Sequence, residues 1–147
     1  MAILLPGGAG YIGSHTAVEL LNSGKEIIII DNFSNSKPEV LDKIKKITGK
    51  DFKFYEMDYS NKDELNKVFT ENKIDAVLNF AGFKAVGESV KKPIEYYMNN
   101  ISGALVLLDV MRAHNCKKFI FSSSATVYGD PATMPITEEF PTGGTTN

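Results

Sequence analysis

The sequence predicts an α/β protein built on a doubly wound parallel sheet with strand order 3-2-1-4-5, and three observations carry that expectation. Strand-like apolar runs alternate with stretches of helical period along most of the chain. One run, Glu26-Ile27-Ile28-Ile29-Ile30-Asp31, is apolar without a break between its two acids, which suits a parallel strand covered on both faces. The first strand also passes straight into a helix through a glycine-rich turn, Gly7-Gly8-Ala9-Gly10-Tyr11-Ile12-Gly13. Right-handed crossovers then leave one natural topology for the five strands.

Ala2 to Leu5 is the first strand. The turn after it needs glycine for a tight bend, for close approach of a diphosphate to the backbone, and for close packing of helix on strand. The helix carrying Thr16-Ala17-Val18-Glu19-Leu20-Leu21 begins there, offering free N–H groups and the positive end of its dipole. Asn22-Ser23-Gly24 stops it. Asp31, at the end of the second strand, follows Gly13 at close to the roughly 20-residue separation at which a carboxylate hydrogen-bonds an adenosine ribose. The plainer alternative is a surface turn acid; the glycine turn upstream favours the ribose. Asn32 to Ser36 is a polar turn. Ser36-Lys37-Pro38-Glu39 has the form of a capping box with proline in the first turn, opening a helix with Val40, Leu41, Ile44 and Ile47 on one face that runs to Gly49.

Phe52 to Met57 reads as the third strand, ending at Asp58, an acid placed either to meet an adenine amino group or to start the next helix. That helix begins at Ser60-Asn61-Lys62-Asp63 and turns Leu65, Val68 and Phe69 inward. Ile74 to Phe80 is the fourth strand, broken at Ala81-Gly82, where small residues let a ligand lie against the backbone. Phe83 to Val90 reads as loop more than helix. Pro93 opens a long amphipathic helix expected to bury Ile94, Tyr97, Ile101, Ala104, Leu105, Leu108 and Met111, with Gly103 packed close on the sheet. Asn99 and Asn100 stand out as polar on a helix that should be largely covered, either exposed or facing a site. Lys117 to Ser124 is the fifth strand, and its carboxyl end turns polar where open parallel sheets bind ligands. Ala125 to Asn147, with Pro131, Pro135, Pro141 and Gly143-Gly144, has no periodicity and reads as a loop lacking its continuation.

Length and composition are those of one globular domain able to bury a core. A net charge of -2 and no basic cluster longer than Lys117-Lys118 argue against nucleic acid as the main partner. No apolar run approaches the roughly 20 residues of a membrane span, and the N-terminus leads into a strand rather than a signal peptide, so no membrane and a cytoplasmic location are expected. Cys116 is the single cysteine and reads as a buried small apolar group. No second ligand sits at metal spacing around His15 or His114, so no metal is expected.

Four stretches carry a resemblance. They are Gly7 to His15, Asp31-Asn32-Phe33-Ser34-Asn35-Ser36, Phe80-Ala81-Gly82-Phe83-Lys84-Ala85-Val86-Gly87-Glu88-Ser89, and Ser122-Ser123-Ser124-Ala125-Thr126-Val127-Tyr128-Gly129. Together they resemble the N-terminal part of the extended short-chain dehydrogenases/reductases, and within them the bacterial UDP-glucose 4-epimerase family. The resemblance implies a Rossmann-like NAD-binding domain over residues 1–147, incomplete at its C-terminal end. It implies NAD held without exchange by Gly7, Gly10, Tyr11, Ile12, Gly13, Asp31, Asn32, Phe33, Ser34, Asn35, Ser36, Asp58, Tyr59, Phe80, Ala81, Gly82, Phe83, Lys84 and Asn99. Ser124 matches the catalytic hydroxyl that hydrogen-bonds the sugar at C4, the substrates being UDP-galactose and UDP-glucose, interconverted through a transient 4-keto sugar. A homodimer is implied at full length.

Two departures accompany the resemblance. Pro6 stands where the family usually has threonine. The family's proton-accepting Tyr-x-x-x-Lys motif is absent: Tyr128, the only tyrosine after Ser124, is followed by Gly129-Asp130-Pro131-Ala132. The later strands and the sugar-binding domain are expected beyond Asn147, and this chain alone is expected to lack activity. Two other readings stay open: a non-catalytic dinucleotide-binding module, and an epimerase or dehydratase for another nucleotide sugar such as UDP-glucuronate or an N-acetylated sugar.

Overall fold

Five strands pair in parallel in the order β3-β2-β1-β4-β5 in this computed structural model, which describes residues 2–129 and 133–143. The strands are β1 (Ala2–Pro6), β2 (Glu26–Asp31), β3 (Lys53–Glu56), β4 (Ile74–Asn79) and β5 (Lys118–Phe121). The topology is the expected one. β1 lies at the centre, with Leu4 opposite Ile28 on one side and Val77 on the other.

The period of two along the strands explains why their sequence is apolar throughout. Leu4, Ile28 and Ile30 point to one face, where they pack with Leu65, Val68, Leu107 and Val110; Ile3, Leu5, Ile27 and Ile29 point to the other, with Ala17, Leu21 and Ile44. Helices α1 (Tyr11–Asn22) and α2 (Glu39–Thr48) cover the second face, and α3 (Lys62–Glu71) and α6 (Gly103–Ala113) the first. Asn61 caps α3, its Oδ1 accepting from Glu64 N at 3.3 Å. Cys116 is buried, and burial pushes its thiol pKa up. Among the described residues no helix is long and apolar enough to cross a membrane.

Four local expectations are corrected. Ser36 is not a capping residue: α2 starts at Glu39 with no side-chain cap, and Ser36 Oγ donates instead to Asp31 Oδ1 at 2.9 Å. Of the α2 stripe, Ile44 is buried while Ile47 is 67% exposed. The stretch after Phe83 contains a helix, α4 (Val86–Lys91): Glu88 pairs with Lys92 at 3.1 Å, an i,i+4 contact legible in the sequence, and the Tyr96 hydroxyl, which local sequence does not bring there, lies within 3.1 Å of both Ala85 O and Glu88 Oε2. The fifth strand ends at Phe121, although Ser122 N still donates to Asn79 O at 3.1 Å.

The largest correction concerns the long helix, which is α5 (Pro93–Tyr97), a π-helical turn (Met98–Ser102) and α6. Ile94, Tyr97, Ile101, Leu105 and Leu108 are exposed, and the core face is Gly103, Leu107, Val110 and Met111. Within α6 a second apolar set, Leu107 and Val110, stands two positions after Leu105 and Leu108, so periodicity cannot choose between them. Close packing chooses: Gly103 sits against the ring of Tyr59, not against the sheet, and a Cβ there would fall 2.6 Å from the ring. In the stretch after Ser124, Ala125–Tyr128 forms a 3-10 turn; Asp130 to Ala132 and Gly144 to Asn147 lie outside the described residues.

Leu4→Ala should cost about 2–5 kcal/mol in urea denaturation, because Leu4 is fully buried at the centre of the sheet. Ile47→Ala should change stability by no more than about 0.5 kcal/mol.

Candidate functional site

A cleft opens at the carboxyl ends of β1, β2 and β4, where a parallel sheet with a central switch point leaves room between connections that depart to opposite faces. Its floor is the turn between β1 and α1. Gly7 has φ +71°, and a Cβ on it would lie 2.6 Å from Ala81 N, so only glycine lets the turn run against the end of β4. Gly7 N donates to Ile30 O at 2.9 Å and Gly10 N to Gly7 O at 3.1 Å. Gly13 packs beneath, its missing Cβ 2.6 Å from Gly7 O. Pro6 ends β1; lacking an N–H it donates nothing, yet its carbonyl accepts from Phe80 N at 2.9 Å.

α1 begins at Gly10 with no side-chain cap and no acidic residue in its first turn. The uncompensated N–H groups and dipole end suit an anion.

Asp31 closes the other wall. Its Oδ2 accepts from Ala9 N at 3.0 Å, and its Oδ1 accepts from Phe33 N and Ser36 Oγ, both at 2.9 Å. One carboxylate thus joins the glycine turn to the 32–36 loop. Asn32, Ser34, Asn35 and Ser36 line the cleft, whereas Phe33 turns away and places its ring 5.3 Å from that of Phe54. Asp58 sits behind Asn32, accepting from its Nδ2 at 3.1 Å and from Ser60 N at 2.8 Å.

The far wall is Phe80, Ala81, Gly82 and Phe83, with Tyr59 and Asn99. Asn100, open on sequence grounds between solvent and site, clamps this wall: its Oδ1 accepts from Phe83 N at 2.8 Å and its Nδ2 donates to Phe83 O at 2.9 Å. Asn99 Nδ2 donates to the same Oδ1 at 2.8 Å. The Tyr59 hydroxyl donates to Asn99 O at 2.5 Å, and its pKa is pushed up to about 12, first by burial and then by the Asp58 charge. The phenol is therefore a fixed donor at neutral pH.

The remaining residues singled out in the sequence do not line the cleft. Tyr11 and Ile12 open α1, with exposed side chains beside α2. Lys84 borders a neighbouring depression with Glu88 and Tyr96. Ser124 follows β5 and caps the 3-10 turn, its Oγ accepting from Thr126 Oγ1 at 3.0 Å. Ile30 and Met57 also line the cleft and escaped sequence reasoning, since an apolar residue at a strand end reads as core. His15 Nδ1 lies 2.8 Å from Tyr11 O and His114 Nε2 3.1 Å from Asn66 Oδ1; among the described residues no group of three or more His, Cys, Asp or Glu is placed to hold a metal.

The family model described as GDP-mannose 4,6 dehydratase matches residues 4–146. The chain belongs to that family. As a member of the GDP-mannose 4,6 dehydratase family it is similar to a UDP-glucose 4-epimerase of Haemophilus influenzae, 60% identical over the whole of this chain and 44% of that protein. It is 59% identical to a UDP-glucose 4-epimerase of Bacillus subtilis, over 99% of this chain and 43% of the other. In structure it is similar to the UDP-glucose 4-epimerase of Bifidobacterium longum in complex with NAD+ and UDP, with TM-score 0.95 and 58% identity over 100% of this chain and 44% of that one. A second neighbour, the enzyme of Stenotrophomonas maltophila with bound NAD and formylated UDP-arabinopyranose, has TM-score 0.91 and 43% identity over 97% of this chain and 43% of its own. The chain spans less than half the length of these relatives.

Because the Tyr59 pKa lies above its ordinary value of 10.0, the neutral phenol favours the fold below pH 10, and that contribution is lost as pH rises towards 12. Urea denaturation across this window should show stability falling more steeply in the parent chain than in Tyr59→Phe. Parallel slopes would remove Tyr59 as a source of alkaline sensitivity.

Proposed function

We propose that this chain is the NAD-binding portion of a UDP-glucose 4-epimerase that interconverts UDP-galactose and UDP-glucose. Supporting this are the cleft itself, with a glycine cradle, an uncapped helix start and a carboxylate at the end of β2, and the identities near 60% to epimerases. Residues 1–147 form on this reading a Rossmann dinucleotide-binding domain. The rest of the machinery, including the proton-accepting tyrosine, belongs to a longer chain.

The cleft residues fit the cofactor in kind. The free backbone N–H groups of the first turn of α1, supplied by Tyr11, Ile12 and Gly13, take the diphosphate, while Gly7 and Gly10, whose own N–H groups bond Ile30 O and Gly7 O, shape the turn against which it lies. Asp31 takes the adenosine ribose: three of the roughly four acceptor positions of its carboxylate are filled by Ala9 N, Phe33 N and Ser36 Oγ, which leaves one for a hydroxyl. Asn32 and Ser34 to Ser36 line the adenosine end, with Asp58 behind Asn32 and Phe33 turned away, and Tyr59, Phe80 to Phe83 and Asn99 form the opposite wall, with Lys84 just beyond it. NAD, when bound there, would supply reversible hydride acceptance for C4 of the sugar. Ser124, at the carboxyl end of β5, orients the C4 hydroxyl, and an ordinary serine hydroxyl cannot take its proton near neutral pH.

The exposed stripe of Ile94, Tyr97, Ile101, Leu105 and Leu108 supports a homodimer of the longer protein through this helix face. A cytoplasmic location accords with a lone buried thiol and with UDP-sugar substrates.

Titration of the chain with NAD and NADP tests the binding half. A 2′-phosphate beside Asp31 would bring like charges within about 4 Å, worth up to ~4 kcal/mol at an effective dielectric near 20. NAD should bind at least tenfold more tightly, and absence of NAD binding would overturn the proposal. In the longer protein, Ser124→Ala should lower UDP-galactose turnover by roughly 10²-fold or more with NAD still bound. Unimpaired turnover would remove Ser124 from its role.

A further inference from the structure

The helical rod from Pro93 to Ala113 changes its hydrogen-bond pattern at Met98–Ser102, and three observations meet there. Gly103 N donates to Met98 O, five residues back, so Asn99 O is released from the four-residue bond that an α-helix would give it. The Tyr59 hydroxyl donates to that released carbonyl at 2.5 Å. The same phenol fills the space a side chain at Gly103 would need, a Cβ there falling 2.6 Å from Cζ and 2.7 Å from the hydroxyl oxygen. A side chain from the loop after β3 is thus inserted into the helix at the one turn that carries an extra residue. Proline, a common cause of helix distortion, is absent from Met98-Asn99-Asn100-Ile101-Ser102.

On its cleft side this turn carries Asn99 and Asn100. One side-chain amide, that of Asn100, holds both backbone groups of Phe83, and Asn99 Nδ2 supports it at 2.8 Å. Phe83 lies in the 80–83 stretch that walls the cleft.

We propose that Tyr59 is a positioning residue for the dinucleotide cleft: by pinning Asn99 O it keeps the Met98–Ser102 turn in π register, and that register sets Asn99 and Asn100 where they hold the Phe83 loop. Closing the turn to α-helix would shift the phase of the preceding residues by about 100° and withdraw the Asn100 amide from Phe83. The consequence for binding rests on the NAD reading above; the link from Tyr59 to Phe83 exists without a ligand.

Amide hydrogen exchange at neutral pH on the full 147-residue chain and its Tyr59→Phe variant tests the link, with NAD titration as a second readout. Phe83 N–H should exchange at least tenfold faster in the variant while the amides of Leu4 and Ile28 keep their rates, and NAD should bind about tenfold more weakly. Unchanged Phe83 exchange, or a rise shared equally by Leu4 and Ile28, overturns the proposal. So does a loosened Phe83 with NAD affinity equal to that of a parent chain that binds it. A parent chain that binds no NAD counts against the function proposed above, and the positioning link is then decided by exchange alone. If Tyr59→Phe does not fold, Gly103→Ala serves the same purpose. Its Cβ displaces the phenol from Asn99 O, so Phe83 exchange should again accelerate selectively, and unchanged exchange overturns the proposal.

Discussion

The distance between two backbones, at the end of β1 and the end of β4, constrains everything around the cleft. Gly7 and Ala81 approach so closely that one added carbon would meet the Ala81 nitrogen at 2.6 Å. Because β1 is central, the chain leaving it can pass to only one face of the sheet; it goes to the side of Ala17 and Leu21, while the chain leaving β4 returns over the face of Leu107 and Val110. The crevice is the space those departures leave, and its depth is set by how near the two strand ends can come. A larger residue at position 7 would pry them apart. Pro6 is tolerated beside it because it is the last residue of the strand and contributes a carbonyl where Phe80 needs an acceptor.

The groups around the crevice are bonded to one another before any ligand arrives. Asp31 holds the glycine turn and the following loop together, and Asn100 holds both backbone groups of Phe83. A site prepared in this way loses less freedom on binding than one that must be assembled, so more of each contact is realised as affinity. The arrangement also explains why the walls come from loops: each loop is anchored by a single polar side chain that the sheet or a packed helix fixes in place.

Sequence reading reached the strands and the turn because their signals are local. The isoleucines of β2 need no partner to declare a doubly covered strand, and Gly7, Asp31 and Phe80 to Phe83 lie at or just beyond strand ends where the topology alone directs attention. It missed where two elements compete for one residue. Ser36 matches a helix cap in sequence and serves a carboxylate five residues upstream. Val86–Lys91 is helical where the sequence reads as loop, and the Tyr96 hydroxyl on the next short helix bonds back to Glu88 across it. The buried face of α6 depended on Gly103 meeting a ring more than forty residues away in sequence, and periodicity contains no trace of that contact. Ile30 and Met57 were illegible as cleft residues for a simpler reason: the alternation that buries them in the core also brings them to its edge.

Cys116 sits in the core just before β5, against the face that α6 covers, and burial raises its thiol pKa. A protonated sulfur enclosed in this way is slow to react with alkylating reagents while the structure is closed. Its rate of labelling is therefore a built-in clock for the lifting of α6 from the sheet. With no second cysteine in the sequence to confuse the signal, the chain carries its own single-site reporter of local unfolding, readable by the mass that one alkylation adds.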